Sequence, residues 1–284
     1  MGEPLGFLEG RDAYSLIKTV KAFGAYTGVV SQMPWLHRIF QDNPLMRKTK
    51  PSPFMKVVRR TVESRLEKPD LEGQVRPDLL AHFIATHQDH SDMDRRQVLI
   101  STSGNLIAGG LSPGKTFNEI CYFLATNLPA QDRLLHELKE ARCTYPTSYE
   151  EVRHLGYLEG TIKEALRLHS STSFNLQRVT GPHGLDLPNG VYIPPRTNIG
   201  SPAGAINQDP RVFGADAEAY KPERWMQAKD ESFEKYIERR KVMERTELSF
   251  GQGSRTCIGK TIALMEMFKA VATLVGQFRF EPVD

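Results

Sequence analysis

Residues 250–259 read Phe250-Gly251-Gln252-Gly253-Ser254-Arg255-Thr256-Cys257-Ile258-Gly259. One cysteine stands in a glycine-rich loop just ahead of an apolar helical pattern that runs from 258 to about 276. Gly251, Gly253 and Gly259 permit positive φ and let backbone approach a flat ligand closely. A thiolate at Cys257 would face the N-terminal end of the helix that follows. Unpaired N–H groups and the helix dipole there favour negative charge on sulfur. Such a setting keeps a cysteine deprotonated as a ligand for iron. The alternative for a lone cysteine near a helix start is an inert, packed thiol.

Two further patterns lie upstream. Glu164-Ala165-Leu166-Arg167 sits inside the helical segment Tyr157–His169, and positions i and i+3 share a face, so carboxylate and guanidinium can pair. Taken alone, Glu-x-x-Arg reads as a solvated surface pair. The second pattern is Pro222-Glu223-Arg224-Trp225, between Glu164 and the cysteine loop.

The rest of the chain reads as mainly helical. Tyr14, Leu16, Ile17, Val20, Phe23 and Tyr26 recur at helical steps within a helix over 11–32. A connector over 33–54 is punctuated by Pro34, Pro44, Pro51 and Pro53 and contains the apolar stretch Trp35–Phe40. A helix over 54–67 carries Lys56, Arg59, Arg60 and Arg65 on its outer side. A shorter helix follows over 77–86, with Pro77 in its first turn. A long pattern starts near Ser91, with Ser91 and Asp94 at capping-box spacing. Gly109, Gly110, Pro113 and Gly114 interrupt it; propensity breaks the helix there, and a kinked helix is the alternative. More helix is expected over 130–142 and 149–169. Turn residues between short apolar runs predict hairpins over 178–204. Residues 226–247 read as a charged surface loop with a short helix, and a short strand follows the final helix.

The 284 residues are enough for a substantial core. With 39% hydrophobic and 25% charged residues, composition argues against disorder and collagen-like repeats. A net charge of +3 and the absence of a long Lys/Arg block give no case for nucleic acid. Cys121, Cys143 and Cys257 are neither a disulfide framework nor a zinc pattern, and reduced, cytosol-facing thiols are the natural reading. No run of 18 apolar residues and no signal-peptide core occur.

The cysteine loop resembles the haem-ligand loop of the cytochrome P450 family, Phe-x-x-Gly-x-Arg-x-Cys-x-Gly, with every fixed position filled. The resemblance implies a mainly α-helical haem-thiolate fold with a small β-hairpin region, here lacking its N-terminal part. Haem b would be the cofactor, with Cys257 as axial ligand, and Gly251 and Gly259 would belong to its cradle. Arg255, and with less support Arg178, would pair with the propionates. Phe250 would pack beside the thiolate and limit water. Glu164, Arg167 and Arg224 match a buried triad that locks the proximal side of the haem pocket. The family's distal helix carries Ala-Gly-x-Asp-Thr-Thr; Ala108 and Gly109 match, Leu111 replaces the acid, Ser112 the first threonine and Pro113 the second. Ser112 keeps a hydroxyl in the catalytic position, whereas Leu111 cannot carry a proton.

Five segments resemble the fungal branch that includes pisatin demethylase: residues 6–8, 34–37, 43–45, 53–56 and 76–80. In that frame residues 1–90 hold lid helices over a substrate channel, 91–127 the distal helix, 149–169 the Glu-x-x-Arg helix, and 250–284 the ligand loop and final helix. The apolar stretch at 35–40 would dip toward a membrane, or else form a buried loop. The implied activity is monooxygenation of an apolar organic molecule with O2 and electrons from an NADPH-dependent reductase, in fungal secondary metabolism or detoxification. The family's place is the cytosolic face of the endoplasmic reticulum membrane; this chain, without an anchor, is expected to be cytosolic. A non-catalytic or vestigial haem-binding fragment is the rival reading, and a peroxide-using or rearranging enzyme a third.

Overall fold

The computed structural model describes residues 9–10, 12, 15–31, 33–43, 52–67, 78–89, 93–173 and 175–282. Tyr14, Ser91 and the segments 6–8, 44–45 and 76–77 of the sequence reading lie outside these. The chain divides into two compact units, Met1–Leu111 and Ser112–Asp284.

The first unit holds α1 (Leu16–Val30), α2 (Pro34–His37), α3 (Pro53–Glu67), α4 (Leu79–Asp89) and the first half of α5 (Arg95–Thr126). Phe54, Val58 and Val62 recur every fourth residue along α3 and are buried with Leu16, Leu80, Ile84 and Val98 in one cluster. Lys56, Arg59 and Arg60 are exposed as expected, but Arg65 is not free: it pairs with Asp78 at 2.7 Å. Asp78 also accepts from the Ala81 N–H at 2.8 Å, which caps α4. The described start of the connector, residues 33–43, is more regular than the sequence reading implies. Pro34 sits in the first turn of α2, where its missing N–H costs nothing, and the chain continues as a π-helical turn, Arg38–Asp42. The Tyr26 hydroxyl lies 2.7 Å from His37 Nδ1 and ties this turn to α1. Phe23, placed on the apolar face by spacing, is 60% exposed, and Trp35 is 59% exposed.

The capping box of α5 lies three residues later than expected. Asp94 Oδ1 accepts from the Gln97 N–H at 2.8 Å, and Gln97 Oε1 accepts from the Asp94 N–H at 2.9 Å. α5 then runs unbroken through Gly109, Gly110 and Pro113, against the propensity reading. Tertiary contacts outweigh the local penalty. Thr116, Ile120 and Leu124, downstream of the proline, are buried, and the Ser171 hydroxyl donates to the Ser112 carbonyl at 3.1 Å.

The second unit contains the remainder of α5, α6 (Leu128–Glu140), α7 (Tyr149–Val152), α8 (Gly156–Leu168) and α12 (Lys260–Gln277) around one core. α12 contributes Met267, Phe268, Val271, Ala272 and Val275; α6 contributes Leu134 and Leu138. The helix expected over 149–169 is two, separated at Arg153–Leu155. No side chain of its own caps α8. Glu137 on α6 does so instead, accepting from the Tyr157 and Leu158 N–H groups at 2.8 and 2.9 Å. Between α8 and α12 lie β1 (Asn175–Val179), β2 (Leu185–Asp186), β3 (Tyr192–Ile193) and β4 (Asn198–Pro202), followed by α9 (Ala203–Ile206), α10 (Pro210–Phe213), a 3-10 turn at Pro222–Trp225 and α11 (Phe233–Thr246). β1 pairs antiparallel with β4 and β2 with β3, which meets the hairpin expectation.

Residues 226–247 are more helical than expected. Ser232 caps α11, and Arg239 holds it down through the Arg224 and Met226 carbonyls. Among the described residues the strand expected after the last helix does not form. Phe280 instead exchanges both backbone groups with the Gln131 side chain, at 2.7 and 3.0 Å. Gly160 lets α8 approach the backbone of the Pro222–Trp225 turn closely. A Cβ there would lie 2.6 Å from the Pro222 carbonyl oxygen. Gly160→Ala is therefore expected to cost about 1–3 kcal/mol through overpacking against backbone that cannot rotate away. A denaturant midpoint equal to that of the unsubstituted chain would contradict this.

Candidate functional site: a thiol loop backed by a buried charge network

Cys257 sits two residues before Gly259, the residue preceding α12. Its N–H donates to the Phe250 carbonyl at 2.8 Å and closes the loop into a tight turn. Gly251 and Gly253 make that turn possible at φ +64° and +70°. Gly259 does not adopt positive φ, contrary to the sequence reading: its φ is −85°. A Cβ there would come 4.0 Å from the Cys257 sulfur, an ordinary contact distance, so no contact among the described residues requires glycine at this position. The thiol is exposed, so the inert, packed alternative does not hold.

Arg255, also exposed, has a guanidinium with no ion pair among the described residues. Phe250 is half-buried against the helical core, with the Lys260 ammonium 5.5 Å from its ring centroid. Next to the loop, an open cleft of about 430 Å³ is lined by Lys241, Arg245, Phe250, Thr256 and Lys260, among others.

Behind the loop lies the second constellation. Glu164 and Arg167 are fully buried on α8 and Arg224 nearly so, which rules out a solvated surface pair. Glu164 Oε1 accepts from Arg167 Nη2 at 2.7 Å, Arg224 Nε at 3.0 Å and the Lys221 N–H at 3.2 Å. Glu164 Oε2 accepts from Arg167 Nε at 2.9 Å and Trp225 Nε1 at 2.9 Å. Arg167 Nη1 donates to the carbonyls of Asn207 and Ala217 at 2.9 and 2.6 Å. Arg224 donates to the Phe213 carbonyl and to both the side chain and carbonyl of Asp216. The fork geometry of arginine suits this: each N–H finds an acceptor while the charge stays buried.

Burial alone would make Arg224 easier to deprotonate, but the Asp216 and Glu164 carboxylates outweigh it and hold the guanidinium charged. Lys221 and Arg224 together hold the Asp216 carboxyl down to about 2. A carboxyl depressed on folding contributes stability that is complete above its unfolded value and lost as pH falls through its folded value. Stability is thus expected to decline from about pH 4 toward pH 2, and Asp216→Asn should flatten part of that decline. Denaturant melts across this range test it; equal slopes for the two proteins would contradict the assignment.

The structure brings together Glu164, Arg167 and Arg224, and separately Phe250, Gly251, Arg255 and Cys257. It does not join Arg178 to either group. Exposed on β1, that guanidinium donates to the Gln177 carbonyl at 2.8 Å. Ser112, in the second unit, is exposed with a hydroxyl unpartnered among the described residues, while Ala108 and Gly109 are exposed on the part of α5 in the first unit. Sequence reasoning missed Trp225, Asp216, Asn207 and Ser249. Only Trp225 carried a signal, by its adjacency to Arg224.

Among the described residues no cluster of His, Cys, Asp and Glu could hold a metal ion, and no helix is long and apolar enough to cross a membrane. The donor set fits haem: one exposed sulfur, flanked by glycine backbone and one unpaired cation for a carboxylate.

The protein-family model "Cytochrome P450" matches residues 1–284. Cytochrome P450 monooxygenase cfoH of Aspergillus candidus is 33% identical over 91% of this chain and 49% of its own length. Cytochrome P450 monooxygenase mpaDE of Penicillium roqueforti is 32% identical over 98% of this chain and 33% of its own length. Cytochrome P450 monooxygenase gsfF of Penicillium aethiopicum is 35% identical over 72% and 40%, respectively. The chain thus spans half or less of the length of these curated relatives. Family members bind haem iron through a cysteine thiolate and work with an organic substrate and a redox partner. With a mainly helical fold, the ligand-loop sequence and a match over its whole length, the chain belongs to the cytochrome P450 family.

Proposed function

We propose that the chain is part of a haem-thiolate monooxygenase that oxidises an apolar organic molecule, by hydroxylation or demethylation, with O2 and electrons from an NADPH-dependent reductase. The observation that carries this reading is the exposed Cys257 thiol on its glycine turn, in a chain that the family model matches from end to end. Haem b, when bound, supplies the oxygen and redox chemistry, tuned by its thiolate ligand. Cys257 would ligate the iron, Arg255 would neutralise a propionate, and Gly251 and Gly259 would admit the macrocycle close to backbone. Arg178 is a further cation for a propionate. Phe250 would limit water at the sulfur. Glu164, Arg167 and Arg224 would hold the proximal side rigid. In the distal segment Ala108 and Gly109 leave space, and Ser112 supplies a hydroxyl for holding water or a proton.

All the relatives named above are fungal, which supports secondary metabolism or detoxification as the setting; the finer reading, a pisatin demethylase-like branch, rests on the five matching sequence segments alone. Trp35, Ile39 and Phe40 are exposed together on α2 and the π-helical turn. That favours peripheral membrane contact over a buried loop, at the cytosolic face of the endoplasmic reticulum. Residues 1–90 would serve as lid helices over the substrate channel.

Leu111, where an acid is expected, favours a second reading, in which peroxide supplies the oxygen. Turnover of apolar aromatic substrates by the haem-loaded chain decides between the two. Product formed with NADPH, reductase and O2 supports the monooxygenase. Product with peroxide alone would replace it with the second reading. No product under either condition, with haem bound, would leave a non-catalytic haem protein.

A further inference from the structure

Asn207 follows α9 and is fully buried. Each of its polar groups has a partner. Its N–H donates to the Ala203 carbonyl at 2.9 Å, and its own carbonyl accepts from Arg167 Nη1 at 2.9 Å. Its side-chain Oδ1 accepts from the Leu248 N–H at 2.8 Å, and Nδ2 donates to Ser249 Oγ at 3.2 Å. Ser249 Oγ donates in turn to the Leu166 carbonyl at 2.8 Å. Residues 166–167 of α8 are thereby tied, through Asn207, to residues 248–249. Phe250, whose carbonyl closes the cysteine turn, comes next in the chain.

We infer that Asn207 is a positioning residue, which with Ser249 transmits the placement of the buried Glu164–Arg167 pair to the Cys257 loop. The step to sulfur ligation rests on the haem-thiolate reading; the tethering does not. An amide is suited to this place because it offers an acceptor and a donor side by side: one takes a backbone N–H, the other feeds a hydroxyl. Ser249 can accept that bond and still pass its own proton to Leu166. Aspartate would keep the Leu248 bond and lose the donor. Leucine would fill the volume and make neither bond, leaving the Leu248 amide without its acceptor and the Ser249 hydroxyl with the Leu166 carbonyl alone. The polar links converge from α8 and α9 on two adjacent residues, so no flexible segment lies between the charge network and the start of the turn.

The test uses the full chain, with Asn207→Leu, Asn207→Asp and Ser249→Ala, and Leu134→Ala as a core substitution on α6 that removes none of these hydrogen bonds. Two readouts are needed. The first is hydrogen exchange at the Leu248 and Cys257 amides without haem. The second is the share of thiolate-type Soret band in the reduced, CO-bound protein. Asn207→Leu and Ser249→Ala should speed both amides by about tenfold beyond any global loss of stability, as expected when a buried hydrogen bond holding a local unit is removed. Asn207→Asp should speed them less, and the thiolate-type share should fall in the same order. Exchange that merely tracks global stability, as in Leu134→Ala, would overturn the inference. Should Asn207→Leu fail to fold, Ser249→Ala, which removes a single oxygen, decides alone. Were the unsubstituted chain to take up no haem, the cofactor reading would fail, while exchange would still judge the tether.

Discussion

Glu164→Ala is expected to abolish the cooperative unfolding transition of the second unit or lower its stability by about 3–5 kcal/mol, the cost of leaving buried charge uncompensated. The carboxylate is fully buried and accepts five hydrogen bonds, from Arg167, Arg224, Lys221 and Trp225. Its removal leaves the buried Arg167 guanidinium without its counter-ion, Arg224 with Asp216 as its remaining carboxylate, and an indole N–H without an acceptor. Domain stabilities of about 5–15 kcal/mol leave little margin for that loss. The effect lies in breaking the network rather than in its net worth, since a buried ion pair is weak evidence of net stabilisation. Glu164→Gln keeps an acceptor but loses the charge, so an intermediate loss is expected. Urea denaturation followed by fluorescence of the buried Trp225 reads both, and a loss below about 1 kcal/mol for Glu164→Ala would contradict the network's role.

Cys257→Ala should behave in the opposite way. The side chain is exposed and makes no hydrogen bond or ion pair among the described residues. The loop is closed by backbone, through the Cys257 N–H and the Phe250 carbonyl, and by the positive φ angles of Gly251 and Gly253. Stability should therefore change by no more than about 0.5 kcal/mol, the usual range for a surface substitution. Thiolate-ligated haem should nevertheless be lost entirely, because no other described thiol lies in the loop. Cys121 and Cys143 are partly buried, and burial pushes both thiols up, away from the thiolate form. A folded variant that still shows thiolate-type haem would place the ligand elsewhere. The two substitutions thus separate a residue that holds the fold from one that is free to bind.

The decapeptide at 250–259 was legible because backbone conformation writes itself into sequence: two of its three glycines take the positive φ that only glycine adopts readily. The Glu-x-x-Arg pair was legible as a pair, but its burial was not. Nothing local distinguishes a solvated i, i+3 pair from one covered by residues 207–225. Asn207 and Ser249 were invisible for the same reason, since their roles arise from contacts 40 and more residues apart. Helix α5 shows the reverse limit. Gly109, Gly110 and Pro113 speak locally for a break, and the packing of Thr116, Ile120 and Leu124 overrides them. At Phe23 apolar spacing did not mean burial, because an apolar side chain can face outward as readily as inward.

The measurement closest to the central claim is the reduced, CO-bound absorption spectrum of the haem-supplied chain beside Cys257→Ala. The account predicts a red-shifted Soret band in the first and its loss in the second. No haem uptake by the unsubstituted chain, or a band the substitution leaves unchanged, would contradict it.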